Sequence, residues 1–155
     1  MATTQEELDS KRMFLSLKTV VGELVENYSV EEEKQTIFFQ VSAEPFEVAF
    51  KIMLHPCQQL MTIYSKLSFT VDEQYRSAYS MAVNDLNYDR MYKGTFDFSV
   101  QKGITVYRIP VPYRKSLISR ELLSDAIRDT FDTVTKYNQY LYDVSHGVEA
   151  TIPQE

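Results

Sequence analysis

The sequence predicts an α+β fold in which helices pack on a five-stranded antiparallel sheet, with the elements in the order α-β-β-β-α-β-β-α. Three observations carry this. Phe46, Val48, Phe50, Ile52 and Leu54 alternate with Glu47, Ala49, Lys51 and Met53, the period of a half-buried strand. Leu123, Ile127, Phe131, Val134, Tyr137, Leu141 and Val144 recur at helical spacing, the apolar stripe of a long amphipathic helix. The strand patterns come in runs of three and two with short links, which favours antiparallel neighbours because parallel pairs need long crossovers.

In chain order, a first helix is predicted over Thr4 to Tyr28, with Phe14, Leu17, Val21, Leu24 and Tyr28 on one stripe. Glu31, Glu32 and Glu33 read as a solvated acidic link. Strand one follows at Ile37, Phe39 and Val41, and strand two runs from Phe46 to Leu54 after the Ala43-Glu44-Pro45 turn. His55, Pro56 and Cys57 interrupt the pattern before strand three at about Leu60 to Leu67. Thr70 is the expected N-cap of a second helix, with Glu73 completing a capping box. Tyr75, Tyr79, Ala82 and Leu86 face the sheet from that helix. Phe96, Phe98 and Val100 begin a hairpin that turns through Gln101, Lys102 and Gly103, the glycine being suited to positive φ. The return strand spans Ile104 to Val111, where Pro110 and Pro112 end its hydrogen bonding. Ser119 caps the last helix, which runs to about Val144 before Gly147. Residues 149–155 read as a frayed tail. Phe50, Leu86, Phe96, Phe98, Phe131 and Val134 are the expected core.

A chain of 155 residues with 44% apolar and 25% charged residues has the size and composition of one globular domain, residues 1–155 with a core from about 15 to 147. The net charge of -6 sets its field against phosphate, which disfavours nucleic acid and anionic membrane. No apolar run approaches a membrane span and no leader pattern opens the sequence. A single cysteine, Cys57, agrees with a reducing compartment, and the expected location is cytoplasmic.

The element order, Asn84-x-x-Asn87, Gly94-x-Phe96-x-Phe98, the Tyr107-Arg108 pair and the capped last helix together resemble the YbjN-like bacterial domains, which share the fold of type III secretion chaperones. The resemblance covers about Leu15 to Gly147. It implies a non-catalytic, often dimeric protein of a group described as sensory-transduction regulators, and a fold whose chaperone members bind segments of partner proteins. It assigns no ligand or cofactor.

Residues with chemical potential are few. His55 and Cys57 flank one proline and His146 is distant, whereas a metal site needs three or four ligands at characteristic spacing. No G-x-G-x-x-G, P-loop, G-x-S-x-G or H-E-x-x-H motif occurs. Asp85 and Asp89, and Asp125, Asp129 and Asp132, read as solvated helix faces rather than acid-base pairs. The expectation is no enzyme, no metal and no cofactor. Two features point to recognition. Nine tyrosines crowd the second half (Tyr75, Tyr79, Tyr88, Tyr92, Tyr107, Tyr113, Tyr137, Tyr140 and Tyr142), a residue type favoured at interfaces as well as in cores. Between Phe98 and Arg120 lie Lys102, Arg108, Arg114, Lys115 and Arg120 with no acid among them. This basic arc either balances the acids of the last helix, the favoured role, or lets Arg108, Arg114, Lys115 and Arg120 engage an acidic partner. The expected function is therefore a protein-binding module of chaperone-like or regulatory type acting as a homodimer. A structural assembly subunit comes second and a small enzyme third.

Overall fold

The computed structural model describes residues 1–114 and 116–155. Helix α1 (Thr4–Leu24) starts from Thr3, whose hydroxyl accepts from the Glu6 N–H while the Glu6 carboxylate accepts from the Thr3 N–H. This reciprocal box satisfies two of the donors that a helix start leaves open. The helix ends at Leu24, one turn short of Tyr28, because the chain turns into a short strand, β1 (Ser29–Glu31). β1 pairs antiparallel with β2 (Thr36–Ala43), which continues into β3 (Phe46–His55) and β4 (Leu60–Thr70). The sheet thus has six strands instead of five, in the order β1-β2-β3-β4-β6-β5. Three residues reading Ser-Val-Glu are too short to show a strand period, and only their pairing with Thr36 to Phe38 makes them one.

The expected cap at Thr70 is not formed. Thr70 instead ends β4, paired with Ile104, and the next N–H, of Val71, donates to the Gly103 carbonyl at 2.8 Å. A 3-10 turn at Glu73–Tyr75 leads into α2 (Arg76–Arg90), which has no side-chain cap. In place of a cap, Arg76 reaches outward: its Nε donates to the Val71 carbonyl, and Nη1 to the carbonyls of Val100 and Gln101 at 3.1 and 2.8 Å. This ties the start of α2 to the turn between β5 (Thr95–Ser99) and β6 (Ile104–Pro112). Gly103 in that turn has φ 68°, and a Cβ there would come within 2.6 Å of the Val71 oxygen, so glycine is required both for the conformation and for the close approach. Pro110 and Pro112 remain within β6, paired to Thr62 and Leu60 of β4. β5 reaches only as far as Arg108, so both prolines fall where β6 has a strand neighbour on one side, the place where a missing N–H is tolerated.

All three helices lie on one face of the sheet, with α3 (Arg120–Ser145) across its middle, α1 beside it and α2 against β5. At 26 residues α3 is roughly 39 Å long. The Ser119 hydroxyl caps it as expected, and at its end the Val148 and Gly147 N–H groups donate to the Asp143 and Val144 carbonyls, with Gly147 at φ 70°. That is the double bond pattern of a Schellman cap. The core holds Met13 and Leu17 of α1, Ile52, Met61 and Ile63 of the sheet, Leu86 of α2 and Leu123 and Leu141 of α3. Of the expected core residues, Phe50, Leu86, Phe96 and Val134 are buried, while Phe98 and Phe131 are only partly covered. The tail folds back instead of fraying: Ala150 and Ile152 pack on the core, and Glu155 lies 3.8 Å from Arg90.

Candidate protein-binding surface

Strand pleating sends alternate side chains to opposite faces. Along β4, Met61, Ile63, Ser65 and Leu67 face the helices and are buried; along β6, Thr105, Tyr107 and Ile109 do the same. The intervening residues Tyr64, Lys66, Ile104, Val106, Arg108 and Pro110 lie on the opposite face, against which no helix packs among the described residues. Two adjoining hollows of about 500 Å³ each run along this bare face. One is lined by His55, Leu60, Tyr64, Lys93, Arg108 and Pro110 and the other by Tyr64, Lys66, Lys102, Ile104, Val106 and Arg108. Tyr64 and Arg108, paired across β4 and β6, are common to both. From Leu60 to Lys66 the resulting groove is roughly 20 Å long at the rise of a strand.

The charge of the groove is opposite to that of the chain. Lys66, Lys102 and Arg108 line it against one carboxylate, Asp97, with Lys93 at its rim held by Asp129 of α3, in a protein of net charge -6. Asp97 Oδ2 accepts from Arg108 Nη2 at 2.9 Å, and both side chains are about half exposed. An ion pair that open to water is worth no more than about 1 kcal/mol and exchanges readily for another partner. Lys51 adds a further cation, with its Nζ 5.8 Å from the centre of the Tyr64 ring. Gly94 forms one wall: a Cβ there would lie 2.6 Å from the Arg108 carbonyl oxygen, so only glycine lets this segment close onto β6. Asn87 holds the neighbouring strand. Its Nδ2 donates to the Phe96 carbonyl at 2.8 Å and its Oδ1 accepts from the Phe96 N–H at 2.9 Å, so one amide does for β5 what another strand would do.

Of the residues singled out in the basic arc, Arg108 and Arg120 do not share one surface. Arg108 lies in the groove. Arg120 is on the helical side of the sheet at the start of α3, its Nη1 3.7 Å from Glu23 of α1. Arg114 is exposed in the turn after β6, and Lys115 lies outside the described residues. Among the described residues the acid of α3 with an ion-pair partner is Asp129, which takes Lys93 at 2.6 Å and raises the lysine's pKa through that hydrogen bond. Lys66 and Lys93 were not singled out from sequence. Their places at the groove depend on the β4–β6 pairing and on the fold of the segment before Gly94.

The other chemical candidates are dispersed. His55 ends β3 and Cys57 is exposed in the following 3-10 turn, Pro56–Gln58. His146 Nδ1 lies 2.9 Å from the Tyr142 carbonyl at the far end of α3. Among the described residues no three His, Cys, Asp or Glu side chains gather as a metal ion would require. Most of the tyrosines are structural. Tyr79, Tyr107, Tyr113, Tyr137 and Tyr140 are buried, and only Tyr88 and Tyr92 of the nine stand largely in solvent. Burial pushes the hydroxyl pKa of Tyr79, Tyr107, Tyr113 and Tyr140 upward. Tyr79 bonds Thr105 at 2.6 Å, and Tyr113 bonds Ser10 of α1. No helix among the described residues is long and apolar enough to cross a membrane.

A scan against protein-family models found no match, and a search of curated proteins found none. Solved structures do match. A chain of the ExsC–ExsE complex superposes with a TM-score of 0.62 at 10% identity, over 91% of this chain and 97% of its own. YbjN from E. coli, described as a proposed transcription regulator, superposes with a TM-score of 0.60 at 13% identity, over 87% and 93%. The chain therefore has the YbjN-like fold expected from its motifs, a fold it shares with the ExsC–ExsE structure. Neither neighbour is described as an enzyme.

Proposed function

We propose that this chain is a single-domain, non-enzymatic bacterial binding module of the cytoplasm that engages another protein on the bare face of its sheet. One observation carries the proposal: among the described residues the six-stranded sheet has helices on one face only, and the uncovered face holds a groove of apolar and cationic side chains instead of the uniformly polar surface that water would favour. The fold shared with a protein-protein complex and with a proposed regulator supports it, and the single cysteine, Cys57, agrees with a reducing compartment.

The module acts as a homodimer. β1 covers only residues 36 to 38 of β2, so the rest of β2 presents an unpaired strand edge, beside an apolar cleft formed by Leu24, Val25, Phe39, Val41 and Phe131. Exposed strand edges next to apolar surface invite pairing. Light scattering at micromolar concentration is expected to give the mass of two chains; one chain across the range removes the dimer.

A photo-crosslinking residue placed at Tyr64 tests the binding surface in the native host, with the same residue at Leu122, exposed on α3, as the comparison. A discrete adduct from position 64 and not from 122 is expected. Equal labelling from both positions, or none from 64, would overturn the proposal.

A further inference from the structure

We infer that the groove on the bare face is built for an extended peptide segment in which acidic side chains are interspersed with apolar ones. This rests on the binding reading above and goes beyond it by naming the chemistry of the partner. The groove has a strand's length, so it accommodates some seven residues of extended chain. Its apolar part, from Leu60 and Pro110 through Tyr64 to Val106 and Ile104, is continuous. It therefore offers area to alternate side chains of an extended segment, whose period of two matches the pleat beneath.

Charge selects among such segments. Lys66, Lys102 and Arg108 face one carboxylate within the groove, the Lys93 ammonium being held by Asp129, and that carboxylate, Asp97, already occupies Arg108 at 2.9 Å from the adjoining strand β5. Asp97 thus stands where a partner's carboxylate would bind, as an internal competitor with a weak, half-exposed hold. A partner's acid displaces it and also meets Lys66 and Lys102, whereas a basic segment meets like charge at Lys66, Lys102 and Arg108. Elsewhere the acidic surface of the chain repels the same acidic segment, which confines it to this face.

The test uses fluorescence anisotropy of a labelled, end-blocked octapeptide of four glutamates interspersed with Val, Ile and two Tyr, and its analogue with lysine for each glutamate. The acidic peptide is expected to bind, and the lysine analogue to bind at least about tenfold more weakly. Raising salt from about 0.05 M to 0.3 M should weaken the acidic peptide several-fold as screening shortens. The double change Lys66→Gln and Arg108→Gln should weaken it about tenfold. Asp97→Asn should tighten it about threefold, because it frees Arg108 while leaving the groove's shape intact. If Arg108 and Asp97 serve only to hold β5 to β6, Asp97→Asn leaves affinity unchanged and lowers the melting temperature. That result, or equal affinity for the two peptides, or no binding of the acidic one, overturns the inference. Should the double variant not fold, the Asp97→Asn and salt arms still decide. An adduct at Tyr64 combined with a failed peptide test leaves the binding surface standing and removes only its acidic preference; loss of both removes the binding surface as well.

Discussion

Replacing Asn87 by alanine should destabilise the fold by about 2 kcal/mol. The Asn87 amide makes two hydrogen bonds, at 2.8 and 2.9 Å, to the carbonyl and N–H of Phe96. Each such bond is worth about 0.5 to 1.5 kcal/mol net, so the pair contributes about 1 to 3 kcal/mol. Phe96 is itself buried, at 1% exposure, and its two backbone groups lose their partner with limited access to water, which puts the cost near the middle of that range. For a chain of this size the melting temperature should fall by roughly 4 to 8 °C. Urea denaturation followed by circular dichroism measures the loss, with an unchanged m-value showing that the unfolding unit is the same. Asn87→Asp separates the hydrogen bonds from packing. At neutral pH its carboxylate still accepts from the Phe96 N–H but turns a second oxygen toward the Phe96 carbonyl, so it should be worse than alanine. Protonation restores a donor, so the folded state favours the protonated acid and the variant should regain stability as pH falls through the carboxyl range. A loss below about 0.5 kcal/mol for Asn87→Ala, or an Asn87→Asp variant insensitive to pH, would show that β5 is held by its pairing with β6 alone.

Arg76→Ala should cost about 1 to 3 kcal/mol, since it removes three charge-assisted bonds to the carbonyls of Val71, Val100 and Gln101 in a partly exposed setting; Arg76→Lys, which has one compact donor head, should recover less than half of it in the same urea assay. Phe131→Ala should cost about 2 kcal/mol, below the 3 to 5 kcal/mol of a fully enclosed phenylalanine, because Phe131 lines an open cleft. Alkaline stability follows from Tyr79, Tyr107, Tyr113 and Tyr140, whose pKa values burial raises above the ordinary value of 10.0. A raised folded pKa means that the unfolded chain loses its protons first, so stability is complete below about pH 10 and declines as pH rises beyond it. Tyrosinate absorbance from these four should therefore appear only with unfolding, and its appearance with the fold intact would contradict their burial.

The local physics of the chain was legible from its residues alone. The period-two run from Phe46 to Leu54 became β3, the three-and-four spacing of Leu123 to Leu141 became α3, and Ser119, Gly103 and Gly147 took the cap and turn roles their chemistry suits. The motifs around Asn87 and Gly94 pointed to the right fold, and the structure shows why they matter: one amide ties down β5, and one missing Cβ lets the preceding segment close onto β6. What the sequence left open was decided by pairing between distant segments. β1 exists because Thr36 to Phe38 present it with an edge, and Thr70 is a strand residue because Ile104 lies opposite it, at the position where local rules favour a helix cap. The basic arc looked continuous along the chain, yet the sheet sends Arg108 to its bare face and Arg120 to Glu23 on the helical side. Lys66 and Lys102 join Arg108 only in three dimensions. Periodicity tells which side of its own element a residue faces, but which elements become neighbours is set by the burial of the whole core, and the groove is a property of neighbours.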